Sequence, residues 1–228
     1  MASVAVCAAG ALVLSACGSQ SGDSGGDKLN VVTSTNVYAD IAQTVGGDAV
    51  DVTPIIDDPS KDPHSYEATS QDQLKLSKAD VVVQNGGGYD AFMTTLLEAS
   101  DSEPEVVDAV SISGLPGSEG LGNEPHDHGH DHGEEGHEGH DHGAFNEHVW
   151  YSVPTMIKLV DEVAETMSEE SPENKDEFTK NADDLRGKLE ELNKKISDAK
   201  SQNKDKKAAA TEPVPLWLFE DMGLEPVS

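Results

Sequence analysis

Short β-branched runs alternating with helical stretches narrow the folds open to this chain more than any other feature. Leu29-Asn30-Val31-Val32-Thr33-Ser34 reads as a strand, and residues 37–45 carry helical spacing until Gly46-Gly47 stops them. Residues 49–56 are again apolar and β-rich, and residues 70–77 look helical with Ser70 as the N-cap. Ala79-Asp80-Val81-Val82-Val83-Gln84 is a third strand, followed by a helix over residues 89–99. Strands separated by helices predict an α/β layer on a parallel sheet, whose ligands bind beyond the carboxyl ends of the strands.

The alternation breaks over residues 111–145, which are rich in Gly, His and acid and nearly free of apolar side chains, so a mobile loop is expected. Helix returns over residues 152–167. After Pro172 a long pattern runs through Phe178, Ala182, Leu185, Leu189, Leu192, Ile196 and Ala199, in alternating steps of four and three. That stretch spans about 33 Å as a helix, the width of a small domain. It suits packing along its own domain, or alternatively a short coiled-coil dimer. Residues 207–211 then read as a strand, residues 214–222 as a helix ended by Gly223, and residues 224–227 as the opening of another strand. A second α/β unit thus begins, and its core is not closed by the residues given.

Cys7 and Cys17 are the two cysteines, so the sequence after Cys17 can form neither a structural disulfide nor a cysteine-ligated zinc site. Residues 4–14 form an apolar run too short to span a bilayer, and it ends in Leu14-Ser15-Ala16-Cys17-Gly18. This lipobox-like string is similar to bacterial lipoprotein signals, which implies cleavage before Cys17 and lipid attachment to it. No Lys or Arg precedes the run, and a buried first helix is the competing reading. Residues 18–28, rich in Gly and Ser, read as a flexible tether. The net charge of −29 argues against nucleic acid as a partner and favours cations around the molecule, although solubilising carboxylates explain much of it.

Of nine histidines, two stand in loops beside the predicted sheet and seven crowd the insertion. His64 lies in Asp62-Pro63-His64-Ser65-Tyr66-Glu67, after the second strand, and His148 in Asn146-Glu147-His148-Val149-Trp150, just before a helix. A lone loop imidazole is usually just solvated, but two that flank one sheet edge can converge on a borderline ion such as Zn²⁺. Glu212, in Ala210-Thr211-Glu212-Pro213-Val214-Pro215, reads either as a carboxylate completing a His₂-carboxylate face or as a charge at a helix N-terminus. His126, His128, His130, His132, His137, His140 and His142, interleaved with acids, form an auxiliary loop suited to loose, multiple binding of late first-row cations. A metal-dependent hydrolase needs a metal string with ordered spacing and an open coordination position, and His128-Gly129-His130-Asp131-His132 lacks that spacing. That ranks a hydrolase behind the readings in which the chain only binds metal and is no enzyme, among them a His-rich extracytoplasmic buffer or chaperone.

At Pro63-His64-Ser65-Tyr66-Glu67, His148-Val149-Trp150 and Thr211-Glu212-Pro213 the chain resembles the solute-binding lipoproteins of zinc and manganese ABC importers. The likeness runs in order over residues 29–228, including Asn85-Gly86 after the third strand and Met222-Gly223-Leu224 near the end. It implies two α/β lobes with parallel sheets, bridged by one rigid helix, with metal bound between the lobes. The division expected is a signal peptide over 1–17, a tether over 18–28 and an N-terminal lobe over 29–171 with its His-rich loop at 123–143. The bridging helix over 172–203 and the start of an incomplete second lobe over 204–228 follow. His64, His148 and Glu212 match the family's first three metal ligands, and the fourth, a carboxylate, falls beyond residue 228. The resemblance further implies a monomer, held outside the cell by its lipid anchor, that hands metal to a membrane permease. His-rich loops at this place go with zinc members of the family. Together with ligand softness this favours Zn²⁺ over Mn²⁺.

Overall fold

The computed structural model describes residues 28–121 and 145–227. Cys17 and the seven loop histidines, His126, His128, His130, His132, His137, His140 and His142, lie outside the described residues.

Four parallel strands form the main sheet in the order β2-β1-β3-β4: β1 Leu29–Thr35, β2 Val50–Ile56, β3 Val81–Gln84 and β4 Glu105–Asp108. Helices cover both faces, so the central strands must be apolar on both sides. All four residues of β3 are buried, as are six of the seven in β1. Successive side chains point to opposite faces. Val31, Val81 and Val83 therefore join one core with α1 (Asn36–Gly46) and α5 (Val153–Glu170), while Val32 and Val82 join another with α2 (Ser70–Leu76) and α3 (Ala91–Glu98).

The handedness of crossovers explains this division. From β1 the chain steps one way to β2, then back across the sheet to β3 and on to β4. Right-handed connections put helices on opposite faces when the direction of travel reverses. The reversal leaves a crevice beyond the carboxyl ends of β1 and β3, the usual place for a ligand in an open α/β sheet.

Three elements depart from the sequence reading. The N-cap of α2 is Thr69, not Ser70. Its hydroxyl accepts from the Asp72 amide at 3.3 Å while the Asp72 carboxylate accepts from the Thr69 amide at 3.0 Å, a reciprocal capping box. Strand β4 and the short α4 (Ala109–Ser113) also escaped notice, so regular structure enters the stretch read as loop from residue 111. Four residues of Glu-Val-Val-Asp are too brief for a period to register.

The long pattern after Pro172 is helix α6, Lys175–Gln202, 28 residues. Its stripe packs within the chain: Phe178 and Ala182 are buried in the core made by α1 and α5, with Leu185 and Leu189 partly buried beside them. Helix α6 leads to a second parallel sheet, in which β5 (Lys207–Ala209) pairs with β6 (Glu225–Val227) and α7 (Leu216–Asp221) lies between them in sequence.

Candidate metal centre

Beyond the carboxyl ends of the main sheet, three loops meet. The first carries His64, in a single 3₁₀ turn over Pro63–Ser65. Pro63 pre-sets the opening dihedral of that turn, and the Asp62 carboxylate accepts from the His64 amide at 3.1 Å. The second loop follows β3, where Gly86 stands at φ 78°. A Cβ there would overlap the Asp108 carboxylate, so only glycine turns the chain at this point. The third loop carries Glu147 and His148.

His148 is the centre of an inverse γ-turn, with φ −76° and ψ 53° and the Val149 amide donating to the Glu147 carbonyl at 2.7 Å. The same Glu147 carbonyl accepts from Asn85 Nδ2 at 2.9 Å. Asn85 is fully buried; its side-chain oxygen accepts from the Tyr38 hydroxyl, and its amide donates to Asp90 at 2.7 Å. The third loop is thus tied to the end of β3 through a buried polar network. Burial pushes the Asp90 carboxyl above its ordinary value, against the hydrogen bonds from the Asn85 and Gly86 amides.

His64, Glu147 and His148 each present one ligand atom, and these atoms all lie within 4.8 Å of one another. Glu147 Oε1 is 3.3 Å from His64 Nε2, and it is 3.8 Å from His148 Nδ1, the ring nitrogen that faces Asn146 Oδ1 at 2.8 Å. A tetrahedral ion with bonds of about 2.05 Å has ligands about 3.3 Å apart, so the Glu147–His64 pair already stands at that separation and no pair needs to contract by more than about 1.5 Å. Side-chain exposure falls from 44% at His64 to 19% at Glu147 and 8% at His148, a path from solvent inward.

An aromatic wall orients the two imidazoles. The Tyr89 ring lies 5.0 Å from His64 and 5.7 Å from His148 between centroids, and Trp150 lies 5.1 Å from His148. Burial, then the charges of Asp90, Asp62 and Glu147, push the Tyr89 phenol up to about 12, so it stays protonated and adds no charge. Burial also pushes the His148 imidazole below its ordinary value; Glu147 and Glu212 oppose the shift and His64 reinforces it. A neutral imidazole keeps a lone pair for a cation.

The structure therefore brings His64 and His148 together, their ring centroids 6.1 Å apart. Glu212 stands exposed in the bend between β5 and α7, outside the close group of three, though its charge reaches His148. Sequence reasoning missed Glu147, even though it adjoins His148. Neighbours in sequence ordinarily point apart, and only the γ-turn directs both at one point.

The zinc-uptake complex component A, periplasmic (ZnuA) family model matches residues 31–228. The chain belongs to this family. Within it, the zinc-binding lipoprotein AdcA of Streptococcus pneumoniae is 32% identical over 222 residues, 96% of this chain and 42% of its own length. The manganese-binding lipoprotein MntA of Bacillus subtilis is 31% identical over 170 residues, 72% of this chain and 48% of its own. The chain spans about half the length, or less, of these curated relatives. The crystal structure of the Zn(II)-bound ZnuA-like domain of Streptococcus pneumoniae AdcA aligns with TM-score 0.67 and 28% identity, covering 88% of this chain and 66% of that one. The ZnuA-like fold expected from the sequence, parallel α/β with one long helix, is the fold observed.

Proposed function

We propose that this chain is the binding component of an ABC importer, capturing Zn²⁺ outside the cell as cargo and delivering it to a membrane permease. The convergence of His64, Glu147 and His148 at the sheet's carboxyl edge carries this reading. His64 and His148 supply the nitrogens, and Glu147 together with the nearby Glu212 supplies oxygens. A His₂-carboxylate set suits Zn²⁺ and tolerates Mn²⁺, the alternative cargo, and the names of AdcA and MntA carry the same two metals. The reading assigns no catalysis to these residues. Cys17 is the proposed lipid anchor and the chain is taken to act as a monomer.

The test is competition for Zn²⁺ against a chromogenic chelator, with the intact chain and with His64→Ala and His148→Ala. Either substitution should remove the tightest site while weaker binding persists. If the tightest site survives both substitutions, the seven loop histidines hold the metal and the chain is a buffer instead.

A further inference from the structure

We propose that Asn146 fixes His148 as a ligand through Nε2 and ties it to the loop that bears Glu212; this deepens the metal-capture reading and rests on it. Asn146 Oδ1 faces two groups of His148, the backbone amide at 3.3 Å and ring Nδ1 at 2.8 Å. Its Nδ2 donates to the Pro213 carbonyl at 3.1 Å, one residue beyond Glu212. Its own carbonyl accepts from Trp217 Nε1, in α7, at 2.8 Å.

These contacts settle the amide's orientation, because a backbone amide can only donate and a carbonyl can only accept. Turning the amide over would set NH₂ against the His148 amide and oxygen against the Pro213 carbonyl. With Oδ1 facing His148, ring Nδ1 must be the donor. The Glu147 carboxylate, at 3.8 Å, is too distant to compete as the hydrogen-bond partner of Nδ1. A neutral imidazole has one N–H, so the lone pair falls on Nε2. Asn146 thereby does for His148 what outer carboxylates and carbonyls do for metal-bound histidines, which is to hold tautomer and ring angle. Through Pro213 and Trp217 the same residue sets how far the Glu212 loop stands from His148. One residue thus positions both.

Tautomers are read directly by long-range ¹H–¹⁵N correlation on metal-free protein labelled at histidine nitrogens, with His148 assigned by its loss in His148→Gln. The wild-type ring should be Nδ1–H. Asn146→Ala should give mainly Nε2–H and weaken Zn²⁺ binding roughly 10- to 100-fold, the usual cost of removing an outer partner. Asn146→Asp keeps an acceptor for His148 and loses the donor to Pro213, so it should retain the Nδ1–H form while its Zn²⁺ affinity falls between those of the wild type and Asn146→Ala. An Nε2–H ring in the wild type, an unchanged ring in the Ala variant, or failure of Asp to preserve the tautomer would each overturn the proposal. Should Asn146→Ala fail to fold, the wild-type and Asp spectra decide it. The spectrum needs no metal, so failure of one reading is told apart from failure of the other. An Nε2–H ring removes the role of Asn146 alone, whereas an Nδ1–H ring with Zn²⁺ binding indifferent to His148→Ala removes metal capture and the positioning role together.

Discussion

Glu147 Oε1 stands 3.3 Å from His64 Nε2, so a carboxylate from one loop meets an imidazole from another at the spacing of two ligands on a single tetrahedral ion. The contact puts an anion beside the ring most open to solvent. Glu147 and Glu212 both bear on the site, and neutral amides in their place separate their parts. Glu147→Gln and Glu212→Gln should each weaken Zn²⁺ by roughly tenfold or more, and the double substitution by more than either, as expected for two oxygens on one ion. Isothermal titration under chelator competition measures this. If Glu147→Gln binds as the wild type does, Glu147 merely occupies the gap between the imidazoles in the metal-free protein and is no ligand.

The depressed pKa of His148 sets the direction of a pH effect. Burial is its main cause, so between the folded and unfolded values the unfolded chain holds more protons than the folded one. Stability from this group is complete above the ordinary value of 6.5 and is lost as the pH falls from there through the folded value. Thermal unfolding of metal-free protein between about pH 7.5 and 5 should show midpoints declining on the acid side, with a shallower decline in His148→Gln. Equal slopes in the two proteins would remove His148 as the source.

Legibility in the sequence followed the strength of local periodicity. Strands β1 and β3 are plain because both faces are covered and each carries a β-branched centre, Val31-Val32-Thr33 and Val81-Val82-Val83, and α6 is plain because its stripe repeats over several turns. Four residues of β4 carry no period, and the capping box at Thr69 depends on a pair of side chains, which a one-residue reading of Ser70 overlooks. At the site, His64 and His148 stood out because imidazoles in loops beside strand ends are chemically conspicuous. Glu147 and Asn146 did not, since acids and amides are common in any loop. Their roles come from one γ-turn and from a contact with Pro213, 67 residues away, and neither leaves a mark on composition.

The loop histidines make a separate expectation. Densely spaced imidazoles and carboxylates favour many weak sites, which raise local supply without building the tight one. Deleting residues 123–143 should lower the number of Zn²⁺ ions bound at high concentration and leave the tightest affinity unchanged. Equilibrium dialysis over a wide range of free Zn²⁺ resolves both quantities. Loss of the tight site on deletion, with His64 and His148 in place, would move the primary site into the loop.

Helix α6 offers the sharpest test of how the chain holds itself together. Phe178 is fully buried where α6 meets α1 and α5, while Leu192, three turns and more along the same stripe, is 45% exposed. A helix packed on its own domain should therefore depend on the first residue and little on the second. Phe178→Ala removes a buried ring and leaves a cavity, a change that costs about 3–5 kcal/mol. In a domain of this size that corresponds to a fall of roughly 6–20 °C in Tm. Leu192→Ala should stay within about 0.5 kcal/mol of the wild type. A coiled-coil dimer built on the whole stripe would behave differently: Leu192→Ala would be costly as well, and the Tm of the wild type would rise with protein concentration. Scanning calorimetry of the three proteins at two concentrations separates these outcomes, and a concentration-dependent Tm with a destabilised Leu192→Ala would mean that α6 is shared between chains.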